Sequence, residues 1–205
     1  MMLLVWYTTT ATKPTHFTNF VFFASVTYRM TWTRVATTCI LKQISYYLDL
    51  NENTNSHGYQ INKGFSGGYI FKPWLYLWLK FISNISSALE NDSYKDYYII
   101  KTDIRSFYDT IPHDNLIRLL FGDGFSPIST KIDEMDENTQ RRYKDCVKSL
   151  FILSENINSS RIGLPQGPAY ARYLAELYLA KIDEEFTKRL DRGEIVLYQR
   201  YVDDI

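Results

Sequence analysis

Three short stretches, in a fixed order, do most to limit what this chain can fold into. The first is an apolar run, Tyr97-Tyr98-Ile99-Ile100, that leads through Lys101-Thr102 to Asp103. The second is the loop Leu164-Pro165-Gln166-Gly167. The third is Tyr201-Val202-Asp203-Asp204, which follows a β-rich run over residues 194–201. Singly, each has an ordinary explanation: a surface carboxylate, a tight turn, a solvated acidic turn. Jointly they describe two strand ends bearing three carboxylates and a helix N-terminus beside them. The fold must bring all three stretches to one place.

The sequence between them supplies helices to do so. Over residues 72–89, Trp74, Trp78, Phe81, Ile82, Ile85 and Leu89 recur at helical spacing and predict a wide apolar face turned to the core; Pro73 suits the first turn. A short helix is predicted over 115–121, opened by Pro112 and Asp114, with Leu116, Leu119 and Leu120 buried. Tyr143, Val147, Leu150 and Phe151 predict a helix over 137–153. The longest helix, 167–191, presents Tyr170, Leu174, Leu177, Tyr178, Phe186 and Leu190 on one face, and Gly193 ends it. Residues 35–48 fit a short helix. Residues 51–68 read as loop with a weak hairpin through 59–61 and 69–71, and residues 122–138 as a polar, acidic connection.

Residues 1–48 contain no Asp or Glu, and read as an irregular N-terminal segment. The start lacks a basic region, and Thr, Lys, Pro, His and Asn interrupt every apolar run, which argues against a signal peptide or a membrane span. Composition adds limits. Hydrophobic residues make up 45%, enough for a substantial core. Lys+Arg and Asp+Glu both number 23, so any contact with nucleic acid must be a local basic patch. Cys39 and Cys146 have neither metal-site nor disulfide spacing, which points to a reducing, cytoplasmic compartment.

Three carboxylates at strand ends suit nucleotidyl transfer. In that reaction a 3′-hydroxyl attacks an α-phosphate in line, and two Mg²⁺ ions neutralise charge on the entering and leaving oxygens. Mg²⁺ takes oxygen ligands, commonly carboxylates with phosphate and water. Asp103 with Asp203 and Asp204 meets that need. A helix N-terminus carrying Gln166 and free backbone N–H groups suits a nucleotide or template strand.

These motifs resemble those of bacterial reverse transcriptases, in the right-hand polymerase superfamily. Ile100-Lys101-Thr102-Asp103-Ile104-Arg105-Ser106-Phe107-Tyr108-Asp109-Thr110-Ile111 is similar to the first palm motif. Gly163-Leu164-Pro165-Gln166-Gly167-Pro168 is similar to the family's Gly-Leu/Ile-Pro-Gln-Gly motif, and Tyr201-Val202-Asp203-Asp204 to its Tyr-x-Asp-Asp box. The resemblance covers residues 97–205. It implies an α+β fold: a palm built on a small antiparallel sheet with helices on one face, behind a partial fingers segment over 49–96. It implies Asp103, Asp203 and Asp204 as catalytic, Mg²⁺-binding carboxylates, and Phe107, Tyr108 and Gln166 as nucleotide-binding residues, with Tyr108 the steric gate against a ribose 2′-hydroxyl. The implied partners are dNTPs and an RNA or DNA template and primer, with no membrane.

The continuation Gly167-Pro168-Ala169 departs from the Gly-Ser-Pro usual in group II intron and retron enzymes. It looks closer to abortive-infection and other defence-associated reverse transcriptases, which implies a role against phage. The palm is expected to be incomplete after Ile205 and the thumb missing, so the 205-residue chain is expected to have little activity alone. An inactive fragment and a non-catalytic nucleic-acid-binding module are the alternatives. Asp109, Asp114 and Arg105 are expected to be solvated or structural, His113 to lie on the surface, and Arg200 either to pair with a phosphate or to cover the sheet.

Overall fold

The computed structural model describes residues 33–45, 55–62, 69–121 and 136–205. Two compact units are distinguished, Met1–Ala36 and Thr37–Ile205. Most of the expected N-terminal segment, and most of the connection over 122–138, lies outside the described residues.

Six helices carry the described chain. They are α1 (residues 33–45), α2 (Trp74–Leu89), α3 (Phe107–Thr110), α4 (His113–Phe121), α5 (Glu137–Asn158) and α6 (Ala169–Asp191). A 3-10 turn at Asp92–Tyr94 follows α2. Local chemistry explains the boundaries. The Asp136 carboxylate accepts from the Thr139 N–H at 3.1 Å, so one free donor of the first turn of α5 is satisfied. Pro168 precedes α6 where no N–H is needed, and Gly193 at φ 71° follows its end. Lys188 and Arg189 lie in the last turn of α6, where the helix dipole favours cations.

The core is a helical cluster. Leu41 and Ile44 of α1 meet Leu116 and Leu120 of α4, Tyr143, Val147, Leu150 and Phe151 of α5, and the first half of α6. Tyr170, Ala171, Tyr173, Leu174, Ala175, Leu177 and Leu179 are all buried, so this part of α6 is enclosed on nearly every side. The sequence reading found one face of it. The expected faces of α4 and α5 are buried as read, although α4 begins two residues earlier and α5 runs five residues further than predicted.

Two expectations are corrected. The wide stripe on α2 is not core: only Leu77 and Phe81 are buried, while Trp74 is 67% exposed and Trp78, Ile82 and Leu89 are exposed as well. The predicted strand before Asp103 does not form a ladder either, and Tyr98 there is 97% exposed. Among the described residues, β-pairing is confined to isolated bridges: Ser56 with Arg200 in parallel, and Ile61 with Phe71, Asp103 with Asp204, Pro112 with Ile162, and Tyr201 with Asp204 antiparallel. The Ile61–Phe71 bridge, with Asn62 N–H on the Ile70 carbonyl and Lys72 N–H on that of Gln60, forms the weak hairpin expected there. No described helix is long and apolar enough to cross a membrane.

Candidate active site

Backbone pairing brings the first and third motifs together. Thr102 and Ile205 exchange two N–H···O bonds, of 2.8 and 2.9 Å. The next pair inward, Asp103 opposite Asp204, is therefore of the non-hydrogen-bonded kind, in which side chains on the same face lie closest. Tyr201 and Asp204 exchange a second pair of bonds, of 2.8 and 3.1 Å, which closes a two-residue loop, Val202-Asp203. Tight hairpin loops of this length need a positive φ, and Val202 supplies it at 57°.

This geometry concentrates negative charge. Burial pushes the Asp203 carboxyl above its ordinary range, and repulsion from Asp103 and Asp204 adds to the shift while Arg200 opposes it. Lys101 lies 3.6 Å from Asp204 across an exposed surface, where such a pair is worth little. The donor set is all oxygen with charge in excess, which fits a hard divalent cation in chemical type. Among the described residues, no group of three or more His, Cys, Asp or Glu side chains converges on a single point that would hold an ion.

The second motif docks on the first. Gly163 N–H donates to the Ile111 carbonyl and Leu164 N–H to that of Tyr108, both at 2.8 Å. Gly163 has φ 91°, and a Cβ there would stand 3.0 Å from the Asp109 carbonyl oxygen, so only glycine fits. His113 is not a surface residue as expected. It is buried, and its Nε2 lies 2.7 Å from the Gly163 carbonyl, which also accepts from Asn158 Nδ2 at 2.9 Å. Leu164 and Pro165 are buried, which leaves Gln166 exposed at the tip of the loop.

Tyr108 is half-buried. Burial raises its phenol well above the ordinary value, a hydrogen bond with Tyr59 adds to this, and Asp203 is near enough to contribute. Arg172 stands 5.3 Å over the Tyr59 ring. Phe107 turns the other way into the core, against Tyr178. Its ring is 4% exposed and packs within the helical cluster.

Arg200 departs furthest from expectation. It is 0% exposed, so it neither meets a phosphate nor covers a surface. Its guanidinium donates to Glu176 and Asp183 of α6, to the Ser56 hydroxyl and to the Val202 carbonyl. Burial opposes its charge, but the two carboxylates outweigh that and raise its proton affinity. Tyr198 donates to Asp183 at 2.6 Å, and Ser56 donates to Glu176. The sequence reading missed Glu176, Asp183 and Ser56. One signal was present: two acids seven positions apart on one face of a helix, the first of them set between Ala175 and Leu177.

A family model described as "Reverse transcriptase (RNA-dependent DNA polymerase)" matches residues 25–205, most of the chain. The chain belongs to the reverse transcriptase family. No curated protein and no solved structure matches it. The family is one of nucleotidyltransferases, whose substrates are nucleotides and whose partners are template and primer nucleic acids. In this reverse transcriptase the match takes in all three motifs, together with the helices that position them.

Proposed function

We propose that this reverse transcriptase extends a 3′-hydroxyl with dNTPs at a site formed by Asp103, Asp203 and Asp204. The observation that carries this reading is the Asp103–Asp204 pairing beside a two-residue loop that presents Asp203. It sets Asp103 opposite Asp204 and puts Asp203 on the adjoining loop, oxygen donors of the chemical type that suits Mg²⁺. When bound, two Mg²⁺ ions acidify the attacking hydroxyl and neutralise charge on the phosphate oxygens.

The protein's own groups do the rest. Asp103 and Asp203 would hold the cations, with Asp204 as the accompanying carboxylate. Tyr108 stays a neutral phenol and serves as the steric gate against a ribose 2′-hydroxyl. Gln166, exposed at the start of α6, contacts the nucleotide or the template. Residues 97–205 act as the palm and 49–96 as part of the fingers. The Gly167-Pro168-Ala169 continuation favours a role in defence against phage, and the two cysteines without disulfide or metal spacing favour the cytoplasm.

The test is primer extension with labelled dNTPs and Mg²⁺. It compares the 205-residue chain, a form extended past Ile205 in the gene's own reading frame, and Asp203→Ala in each. Incorporation that depends on Asp203 in either form supports the reading. Incorporation indifferent to Asp203, or absent from both forms, overturns it. Nucleic-acid binding that needs no Mg²⁺ and survives loss of Asp103, with no incorporation, would instead make the domain a binding module.

A further inference from the structure

We propose that Arg200 is the positioning residue for Asp203, holding the Val202-Asp203 loop in its reactive shape from inside the core. The proposal rests on the reading of Asp203 as a reactive carboxylate and adds what fixes its orientation.

The geometry is specific. Arg200 Nη1 donates to the Val202 carbonyl at 2.7 Å. That carbonyl belongs to the peptide joining Val202 to Asp203, so the bond fixes the plane from which the Asp203 side chain departs. The loop needs such a restraint. Val202 lies at φ 57°, a region that L-residues with a branched Cβ avoid, and the two Tyr201–Asp204 bonds that close the loop do not engage the Val202–Asp203 peptide itself.

The guanidinium is itself held on all sides. Nε donates to Asp183 Oδ1 at 2.7 Å, and Nη2 donates to Glu176 Oε1 at 2.8 Å and to the Ser56 hydroxyl at 2.9 Å. The backbone of Arg200 is clamped too. Its N–H donates to the Asn55 carbonyl at 2.9 Å, and its carbonyl accepts from the His57 N–H at 2.8 Å. A planar fork with five donors can satisfy two carboxylates, a hydroxyl and a carbonyl at once, and a lysine ammonium cannot. The cluster thus ties the loop to α6 and to the 55–57 segment, both outside the motif.

The test separates positioning from simple core stability. In Arg200→Lys and Glu176→Gln, amide hydrogen exchange is followed by NMR at Asp204, whose N–H closes the loop on Tyr201, and at Leu174 and Leu177 within α6. The expected result is exchange at least about tenfold faster at Asp204 with α6 unchanged, since loss of one restraint frees the loop locally. In primer extension, kcat falls by about tenfold to a hundredfold while KM for dNTP holds, as a small misplacement at the reacting group predicts. Restoring a left-handed preference with Val202→Gly in the Arg200→Lys background should recover part of kcat.

Unchanged exchange at Asp204 in both variants would overturn the proposal. So would a rise spread evenly over α6 that follows their melting temperatures, since Arg200 would then be a core cross-link only. If the parent shows no Asp203-dependent incorporation, the polymerase reading fails. The exchange result still decides whether Arg200 holds the loop.

Discussion

At Val202 and Asp203 adjacent residues each carry an unfavourable feature, one of backbone and one of charge. A branched side chain at φ 57° costs on the order of 1–3 kcal/mol and persists only where the surroundings impose it. The Asp203 carboxyl has a raised proton affinity, first from burial and then from its acidic neighbours. A carboxyl raised in the folded state binds its proton more tightly there than in the unfolded chain. Its charge therefore weakens the fold at pH values above the raised value, and protonation relieves that penalty as pH falls. Asp203→Asn is accordingly expected to raise Tm at about pH 7, with the gain shrinking as pH falls through the raised value towards the unfolded value of 3.8. Thermal melts of both proteins across that range check this, and a gain that persists in acid would contradict it. Neither feature was legible in the sequence, where Val202 and Asp203 are two letters of a motif. Arg200 was misread for a related reason: a polar residue's burial depends on distant partners, here Glu176 and Asp183.

Among the elements, the loop before α6 and helix α2 show what sets the tolerance of each position. Gly163→Ala combines a left-handed φ with a Cβ 3.0 Å from a backbone oxygen that cannot move aside. It is expected to cost about 1–3 kcal/mol in urea unfolding. On α2, Phe81→Ala is expected to cost about 3–5 kcal/mol, because Phe81 packs beside Trp78 and Tyr201. Trp74→Gln should stay within about 0.5 kcal/mol of the parent despite the larger side chain removed. Equal losses at both positions would contradict the difference in burial between Phe81 and Trp74. Helical spacing located α2, α4, α5 and α6, because a 3.6-residue period survives in local sequence. It did not reveal which face of α2 is covered, because apolar residues continue round that helix. Nor did β-propensity over 97–102 produce a strand. Propensity needs a paired neighbour, and among the described residues the pairing begins only at Thr102.

For the whole molecule, balanced charge and exposed apolar side chains act together. With no net charge at neutral pH, long-range repulsion between copies is weak, while Trp74, Leu75, Tyr76 and Leu79 stand in solvent on α2. Self-association is expected to peak near neutral pH at low salt and to fall in Trp74→Gln, a change that light scattering across pH would register. The order of the three motifs was enough to foresee that Asp103 and the acidic pair meet. How they are held was not, because the restraints come from Ser56, Glu176 and Asp183, which belong to none of the motifs. That arrangement has a consequence for protein engineering. A four-letter box that looks portable is not a module. Transplanted into another scaffold, Tyr201 to Asp204 would arrive without the helix and the loop segment that shape them. The smallest cassette able to keep this loop in shape would be discontinuous, assembled from three separate parts of the chain.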